Sequence, residues 1–414
     1  MSERTAIFGA GLSGQAARRL ALALGQEVVL FDEGGQGDRA VFEDGDVVGF
    51  DRLIFSPGFA ADHPWRLRAV QSGVLCQAEI AFAAQYWRGK IIGVTGTNGK
   101  STLTRLLTES LQCAGHQAVS AGNIGLPLSD AVLAVENAEG AYAVCEISSF
   151  QAELADGLEL DALLWTNFAE DHLDRYASMA NYFMAKARLV HCLKEEAICV
   201  VGPRVAHWFD LFKQPFGHAV VAADAAIMMD QLAEASVFRR FPYTENFSLA
   251  AQYWCLAGEP EAALLQAASD YTLAAHRLDV VAVKQQVRFW NDSKSTNFHA
   301  SLAALAAVPR PIVWIGGGRA KGGDIEAFAR ALSSKVDAAV LYGEVAPRLF
   351  DALSGRLKSV HLCPRFENAV VTAHNVAQPM DGANVLLSPG FASLDQFQSY
   401  EERGKSFIST VLGL

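Results

Sequence analysis

The chain has 414 residues, 51% of them hydrophobic, and a formal net charge of −11. That length and apolar content supply cores for about two to four domains, and the acidic balance opposes nonspecific attraction to a nucleic-acid backbone. Cys76, Cys113, Cys145, Cys192, Cys199, Cys255 and Cys363 are scattered and never spaced Cys-x-x-Cys, so they read as small buried hydrophobes in a reducing compartment. Met1-Ser-Glu-Arg4 leads straight into a strand pattern, without a charged leader and apolar stretch, and no later apolar run approaches membrane-spanning length. The expectation is a soluble cytoplasmic protein with no nucleic-acid partner and no membrane span.

In chain order, residues 5–8 predict a short strand, Gly9-Ala-Gly-Leu-Ser-Gly14 a tight turn, residues 15–24 a helix and residues 28–31 a second strand ending at Asp32. This βαβ unit has the glycine fingerprint usually associated with dinucleotides. The glycines equally fit a turn with close helix packing, and Asp32 equally fits a solvated strand end. A third reading is a nucleotide pyrophosphate held at the helix N-terminus without redox chemistry. Residues 53–55 lead into Ser56-Pro-Gly58, a further loop at a strand end.

The most informative stretch is Gly93-Val-Thr-Gly-Thr-Asn-Gly-Lys-Ser-Thr102, entered by a hydrophobic run at 90–94 and left by a helical pattern from Leu103. It reads as a phosphate loop: Gly96 and Gly99 let the backbone aim N–H groups at phosphate oxygens, Lys100 brings a mobile positive charge, and the Ser101 or Thr102 hydroxyl can ligate Mg²⁺. It departs from the strict pattern in having Val94 where a glycine is usual. Residues 141–147 predict a buried strand carrying Glu146, a carboxylate costly in an apolar run unless paired or coordinated; at a strand end it can hold magnesium. A strand over 163–166 leads to Asn167-Phe-Ala-Glu-Asp-His-Leu-Asp-Arg-Tyr176. There His172 reads either as a capping or core histidine or, beside Asp171 and Asp174, as part of a cation site. Residues 182–193 predict a helix, in which Lys186 reads on spacing alone as a snorkelling lysine.

A third unit begins near Ala275. His276-Arg-Leu-Asp279 precedes strands at 280–283 and 287–290, Asn291-Asp-Ser-Lys-Ser-Thr-Asn297 opens a helix over 298–307, and strands follow at 312–315, 338–342 and 384–387. Strands alternating with helices imply parallel sheets covered on both faces, with ligand groups at the carboxyl ends of the strands.

The motifs occur together and in the order of a known family. Thr95-Gly-Thr-Asn-Gly-Lys-Ser101, Glu146-Ile-Ser-Ser-Phe-Gln151, the Asp-His-Leu-Asp-Arg core at 171–175, His276-Arg277, Asn291 to Asn297 and Ser393-Leu-Asp-Gln-Phe397 resemble the Mur ligases, in the branch that adds glutamate. The resemblance runs from the loop at Gly9 to Glu401-Glu-Arg-Gly404 and lacks the Asp-Asn-Pro-Arg signature of the diaminopimelate- or lysine-adding branch. It implies an α/β, three-domain Mur ligase architecture, each domain a mostly parallel sheet flanked by helices. The N- and C-terminal domains would be Rossmann-like and the central one P-loop ATPase-like, with boundaries at 1–88, 89–274 and 275–414.

The resemblance also implies roles. Leu12, Ser13, Asp32, Ser56, Gly58, Asn123, Ser148 and Gln151 would hold the UDP substrate. Gly96, Thr97, Asn98, Gly99, Lys100, Ser101, Thr102, Asn246, Arg277 and Asp292 would bind ATP, and Lys294, Thr296, Lys321, Ser393, Leu394 and Phe397 would form the amino-acid pocket. Lys100, Glu146, His172 and Lys186 would be catalytic. Ser101 and Glu146 would bind a first Mg²⁺, and His172 with a carbamylated Lys186 would hold or orient a second. The implied reaction joins D-glutamate to UDP-N-acetylmuramoyl-L-alanine with ATP, in a monomer that closes around its ligands. Alternatives are the same chemistry with L-glutamate, a nicotinamide-dependent oxidoreductase, and a nonenzymatic UDP-sugar sensor. Three departures stand out: Glu245 and Leu249 replace the histidine and second asparagine usual ahead of the adenine site, Asp279 stands where glutamate is common, and residues 202–241 align with nothing recognisable. In that segment Met228-Met229 reads as core and Arg239-Arg240 as surface.

Overall fold

The computed structural model describes residues 2–134, 137–212 and 220–414, which form two compact units. One contains the chain to Phe168 with Ala180–Arg239 and Tyr243–Tyr271; the other contains Ala169–Met179, Arg240–Pro242 and Thr272–Leu414.

The first unit holds two sheets. Strands β1 (Arg4–Phe8), β2 (Glu27–Phe31), β3 (Arg52–Phe55) and β4 (Leu75–Ala78) pair in the order β2-β1-β3-β4, all parallel. Phe8 stacks on Phe55 at 4.1 Å between ring centroids and meets Phe42 edge-on at 4.8 Å, so one aromatic cluster covers a face of this small sheet. The second sheet takes β5 (Lys90–Thr95), β6 (Ala118–Gly122), β7 (Tyr142–Glu146), β8 (Leu160–Trp165), β9 (Leu193–Val201) and β10 (Val220–Ala222) in the order β10-β9-β8-β5-β7-β6. Its central strands are apolar nearly throughout, because a parallel strand covered by helices on both faces has no solvated side.

The other unit holds the third sheet: β11 (Asp279–Lys284), β12 (Val287–Asn291), β13 (Ile312–Gly317), β14 (Ala338–Tyr342), β15 (Val360–Cys363) and β16 (Asn384–Gly390), ordered β11-β12-β16-β13-β14-β15. Alternation along β13 divides its side chains between two cores. Ile312 and Trp314 pack beneath the helices Phe298–Ala307, Ile325–Ser333 and Ala346–Ser354, while Val313 and Ile315 pack beneath Phe366–Ala377 and Tyr400–Gly413. The two strands expected at the start of this unit form an antiparallel hairpin, the single antiparallel pairing among the described strands. Its two-residue turn puts Gln285 and Gln286 at φ +48° and +67°, the left-handed pair such a turn needs even without glycine.

Two expected helices change their bounds. The first runs Leu12–Ala23, starting as soon as Gly11 has turned the chain. The one expected over 182–193 is an α-helix over Met179–Ala187 followed by a 3₁₀ turn, and Leu193 already opens β9. Helical apolar spacing cannot mark the end at Ala187, because the 3₁₀ turn Arg188–Cys192 continues it with buried Leu189 and Val190. In the segment 202–241, residues 213–219 lie outside the described residues; Met228 is buried, and the Arg239 guanidinium donates to the Leu232 carbonyl.

Candidate active site

The phosphate loop is built between β5 and the helix Lys100–Cys113. Gly96 adopts φ +139°, and a β-carbon there would lie 1.9 Å from Thr166 Oγ1. Gly99 is the N-cap residue at φ +84°. Both conformations favour glycine, and together they leave the first N–H groups of a 14-residue helix directed out of its N-terminus. The segment just after β8 and the helix Tyr243–Ala257 clamp the loop's carbonyls: Thr166 Oγ1 donates to Asn98 O at 2.6 Å, Asn167 Nδ2 donates to the same oxygen at 3.1 Å, and Asn246 Nδ2 donates to Gly99 O at 2.6 Å. Lys100 Nζ turns back on its own loop, at 3.1 Å from Gly96 O and 2.9 Å from Thr97 O. Asn246, expected to contact the nucleotide, supports the loop backbone here, and Thr166 and Asn167, to which the sequence motifs assign no role, do the same.

Glu146 pairs with Val94 across β7 and β5, which puts its carboxylate beside the start of the loop. It is 1% exposed; Oε1 accepts from Asn123 Nδ2 at 2.9 Å, and Oε2 is enclosed and accepts no hydrogen bond. An anionic oxygen buried without a donor is costly. A magnesium ion, which favours carboxylate, hydroxyl and phosphate oxygens, is the group that this donor chemistry fits. Lys186, 1% exposed, donates from Nζ to Gly96 O at 2.9 Å and sits over the Tyr182 ring at 5.1 Å. It therefore does not snorkel. A carbamate nitrogen at the same position would keep one N–H for that carbonyl, so the site is chemically compatible with the modification.

In the first sheet the Asp32 carboxylate folds over the glycine loop, accepting from Ala10 N at 2.9 Å and Gln36 N at 3.2 Å. The Ala10 bond is the main cause holding its carboxyl below the usual range. Ser56 Oγ lies 3.4 Å from Gly9 O, Leu12 and Ser13 open the helix after Gly11, with Leu12 82% exposed, and Gly58 lies in the turn after β3 that carries Ser56. Ser148 and Gln151 form a reciprocal capping box at the start of the helix Ser149–Ala152. Ser101 and Thr102 lie in the first turn of the phosphate-loop helix, Thr102 buried.

In the other unit, Lys321 Nζ lies 3.4 Å from both Asp171 Oδ1 and Thr296 Oγ1, while Asn297 Nδ2 donates to Asp171 Oδ2 at 3.0 Å. Burial alone would raise the Asp171 carboxyl, but Lys321, His172 and the Asn297 hydrogen bond outweigh it and hold it low. His172 adopts φ +55°, its backbone N–H bonded to Asp171 Oδ1 and its Nε2 3.8 Å from Asp171 Oδ2. Asp292 accepts from Ser388 Oγ at 2.8 Å; desolvation pushes its carboxyl up to about 7, opposed by Arg277. Lys294 Nζ stands 4.0 Å over the Tyr400 ring. Of the remaining pocket candidates, Ser393 is buried, Leu394 is 56% exposed, and Phe397 packs edge-on against Phe366 in the core. Asp171 and Asn297 join Lys321 and Thr296 here as a cluster; its signal in the sequence was the acidic pair around His172.

Two family models match the chain: the Mur ligase middle domain over residues 94–237 and the Mur ligase, glutamate ligase domain, over 276–391. The UDP-N-acetylmuramoylalanine–D-glutamate ligase of Gloeobacter violaceus is 34% identical, with 99% of each chain covered. The chain belongs to the Mur ligase family. The namesake enzyme of Chlamydia pneumoniae is 32% identical to this Mur ligase over 98% of this chain and 97% of its own. Solved structures share the fold: MurF ligase from Thermotoga maritima in complex with ADP (TM-score 0.61, 15% identity, 100% and 96% covered) and UDP-N-acetylmuramate-alanine ligase MurC from the same organism (TM-score 0.59, 14% identity, 99% of each). The expected α/β architecture of three helix-flanked, mostly parallel sheets is therefore the Mur ligase fold. The oxidoreductase reading of the first glycine loop falls with it.

Proposed function

We propose that this Mur ligase joins D-glutamate to UDP-N-acetylmuramoyl-L-alanine, consuming ATP and releasing ADP and phosphate, in the cytoplasmic synthesis of peptidoglycan precursors. The observation that carries the reading is a phosphate loop whose neighbouring strand ends in a buried carboxylate with one unpartnered oxygen. Full-length similarity to curated D-glutamate ligases supports the substrate pair. The domain boundaries 1–88, 89–274 and 275–414 are supported by each sheet's drawing all its strands from one of those ranges. Among the described residues no helix is long and apolar enough to cross a membrane; the enzyme acts as a monomer.

A carboxylate is a weak electrophile with a poor leaving group, so it must be activated before an amine can attack. In the proposed sequence the lactoyl-alanine carboxylate oxygen attacks the γ-phosphorus of ATP, the bond to the β-γ bridging oxygen breaks, and ADP leaves. The amino nitrogen of glutamate then attacks the acyl carbon, the bond from that carbon to the phosphate oxygen breaks, inorganic phosphate leaves, and the nitrogen gives up a proton as the amide forms. The protein's work is positioning and charge stabilisation. Loop amides from Gly96 to Thr102 cradle the phosphates, and Lys100 swings from the loop carbonyls to the γ-phosphoryl oxygens. Asn246, Arg277 and Asp292 contact the nucleotide. Ser101 and Glu146 would hold one magnesium ion, and His172 with a carbamylated Lys186 would hold or orient a second; such ions would neutralise phosphate charge. Leu12, Ser13, Asp32, Ser56, Gly58, Asn123, Ser148 and Gln151 bind the UDP substrate. Lys294, Thr296, Lys321, Ser393, Leu394 and Phe397 receive the amino acid, whose two carboxylates match two ammonium groups and two hydroxyls.

Labelling the substrate carboxylate with ¹⁸O tests the route. One labelled oxygen in the released phosphate is expected; unlabelled phosphate accompanying amide product would exclude the acyl phosphate.

A further inference from the structure

His276, Arg277 and Leu278 form a turn unlike any other among the described residues, with His276 at φ +64° and Leu278 at φ +57°. Left-handed backbone at a bulky residue carries strain and persists only where its surroundings over-determine it. Asp279 Oδ2 accepts from His276 N at 2.7 Å, and His276 O accepts from Lys294 N at 3.2 Å. The ring is held by Asn291, which is 0% exposed.

The orientation of that amide follows from its neighbours. Asn291 Oδ1 accepts from the backbone N–H of Ser293 at 3.1 Å, a group that can only donate. Nδ2 faces Gly404 O at 3.0 Å, a group that can only accept. The second Nδ2 hydrogen then points at His276 Nδ1, 3.0 Å away, which must be an acceptor. His276 is therefore neutral, with its proton on Nε2. Gly404 completes the fit, since a β-carbon there would lie 2.4 Å from His276 Nδ1. What the turn delivers is a fixed link between two chain neighbours: Arg277 follows His276 and Asp292 follows Asn291, so the His276–Asn291 contact ties their backbones together, and the Arg277 charge opposes the desolvation of the Asp292 carboxyl.

We propose that Asn291 is a positioning residue for nucleotide binding: its amide locks neutral His276 in place and so fixes the strained turn that presents Arg277 beside Asp292. The part concerning nucleotide rests on the role given to Arg277 above. Desolvation already lowers the His276 imidazolium pKa, and Lys405 acts in the same direction, while Asp279 and Glu401 act against it. Protonating Nδ1 would set an N–H against the Asn291 N–H, so the lock holds only in the neutral form.

The test is ¹⁵N and ¹H NMR of the histidines in the full-length enzyme, with His276 assigned by loss of its signal in His276→Gln. The wild type is expected to show the Nε2–H tautomer and a titration below the ordinary histidine range. Asn291→Asp replaces the donor by an anion, and the His276 titration should rise by at least one pH unit. KM for ATP should rise about tenfold while kcat stays within threefold, and KM for the UDP substrate should hold. Gly404→Ala, which displaces the ring without adding charge, should raise KM for ATP without the upward titration shift. A proton on Nδ1 in the wild type overturns the lock, and that measurement requires no variant to fold. A shifted titration in Asn291→Asp with KM for ATP unchanged overturns the nucleotide role of Arg277 and leaves the lock standing.

Discussion

The two units build their candidate ligand sites from different materials. Around the phosphate loop the recognising groups are backbone amides, and three side chains, from Thr166, Asn167 and Asn246, are spent on holding the loop's carbonyls. Around Lys321 the recognising groups are side chains that already satisfy one another, lysine against Asp171 and Asp171 against Asn297. A backbone site is set once the chain has folded, because its donors cannot rotate away. A side-chain site must exchange internal partners for ligand, so its affinity depends on how firmly each group is paired beforehand.

Substitutions can break this comparison on either side. The largest effect is expected at Lys100, where Lys100→Met removes the mobile charge but leaves the loop clamp. Amide formation should fall at least ~100-fold with little change in thermal midpoint, and a loss below tenfold would mean that the amides alone suffice. Glu146→Gln keeps an acceptor for Asn123 but replaces the unpartnered anionic oxygen. Turnover should fall about 10–100-fold and the magnesium requirement should rise, with stability equal or higher because a buried charge is gone. Reduced stability would show that Oε2 is satisfied by protein in solution.

On the side-chain site, Lys321→Met should raise KM for glutamate at least ~10-fold and destabilise the fold by about 1–3 kcal/mol at pH 7, since Asp171 loses a partner. The sign of the pH dependence follows from the depressed Asp171 carboxyl. Its contribution is fully present above the ordinary aspartate range and is lost as pH falls through the lower folded value. The variant and the parent should therefore converge in stability on acidification. Asp292 titrates the other way, pushed up to about 7. Between the ordinary aspartate value and 7 the folded state holds the extra proton, so stability falls as pH rises through that window. Asp292→Asn should flatten this slope in denaturant titrations at pH 5 and 8, the smallest effect of the series; a slope unchanged by the substitution would assign it to another group.

The same contrast explains what could be read in the sequence. The phosphate loop was legible because its function needs glycine at fixed places, and the structure shows why: Gly96 at φ +139° against Thr166 and Gly99 at φ +84° against Asn246. Strands were legible as apolar runs, since buried parallel strands have no polar face. Contacts between distant residues were not: nothing in Asp171 or Asn297 announces that they meet, nor that Asn291 faces Gly404 across 113 positions. Lys186 shows the limit of spacing, because a helix pattern places its side chain on a face without revealing that Gly96 O lies there. The helix end at Ala187 was hidden for a related reason, since the 3₁₀ turn that follows keeps burying apolar residues, Leu189 and Val190, at helix-like spacing.

The most direct test of the central claim is product mass and phosphate release from purified protein given ATP, Mg²⁺ and UDP-N-acetylmuramoyl-L-alanine, with D-glutamate, L-glutamate or other amino acids offered singly. An amide product with D-glutamate and one phosphate released per amide is the predicted result. Amide formed with L-glutamate instead would contradict the pocket assignment, and no amide with any amino acid would contradict the ligase function itself.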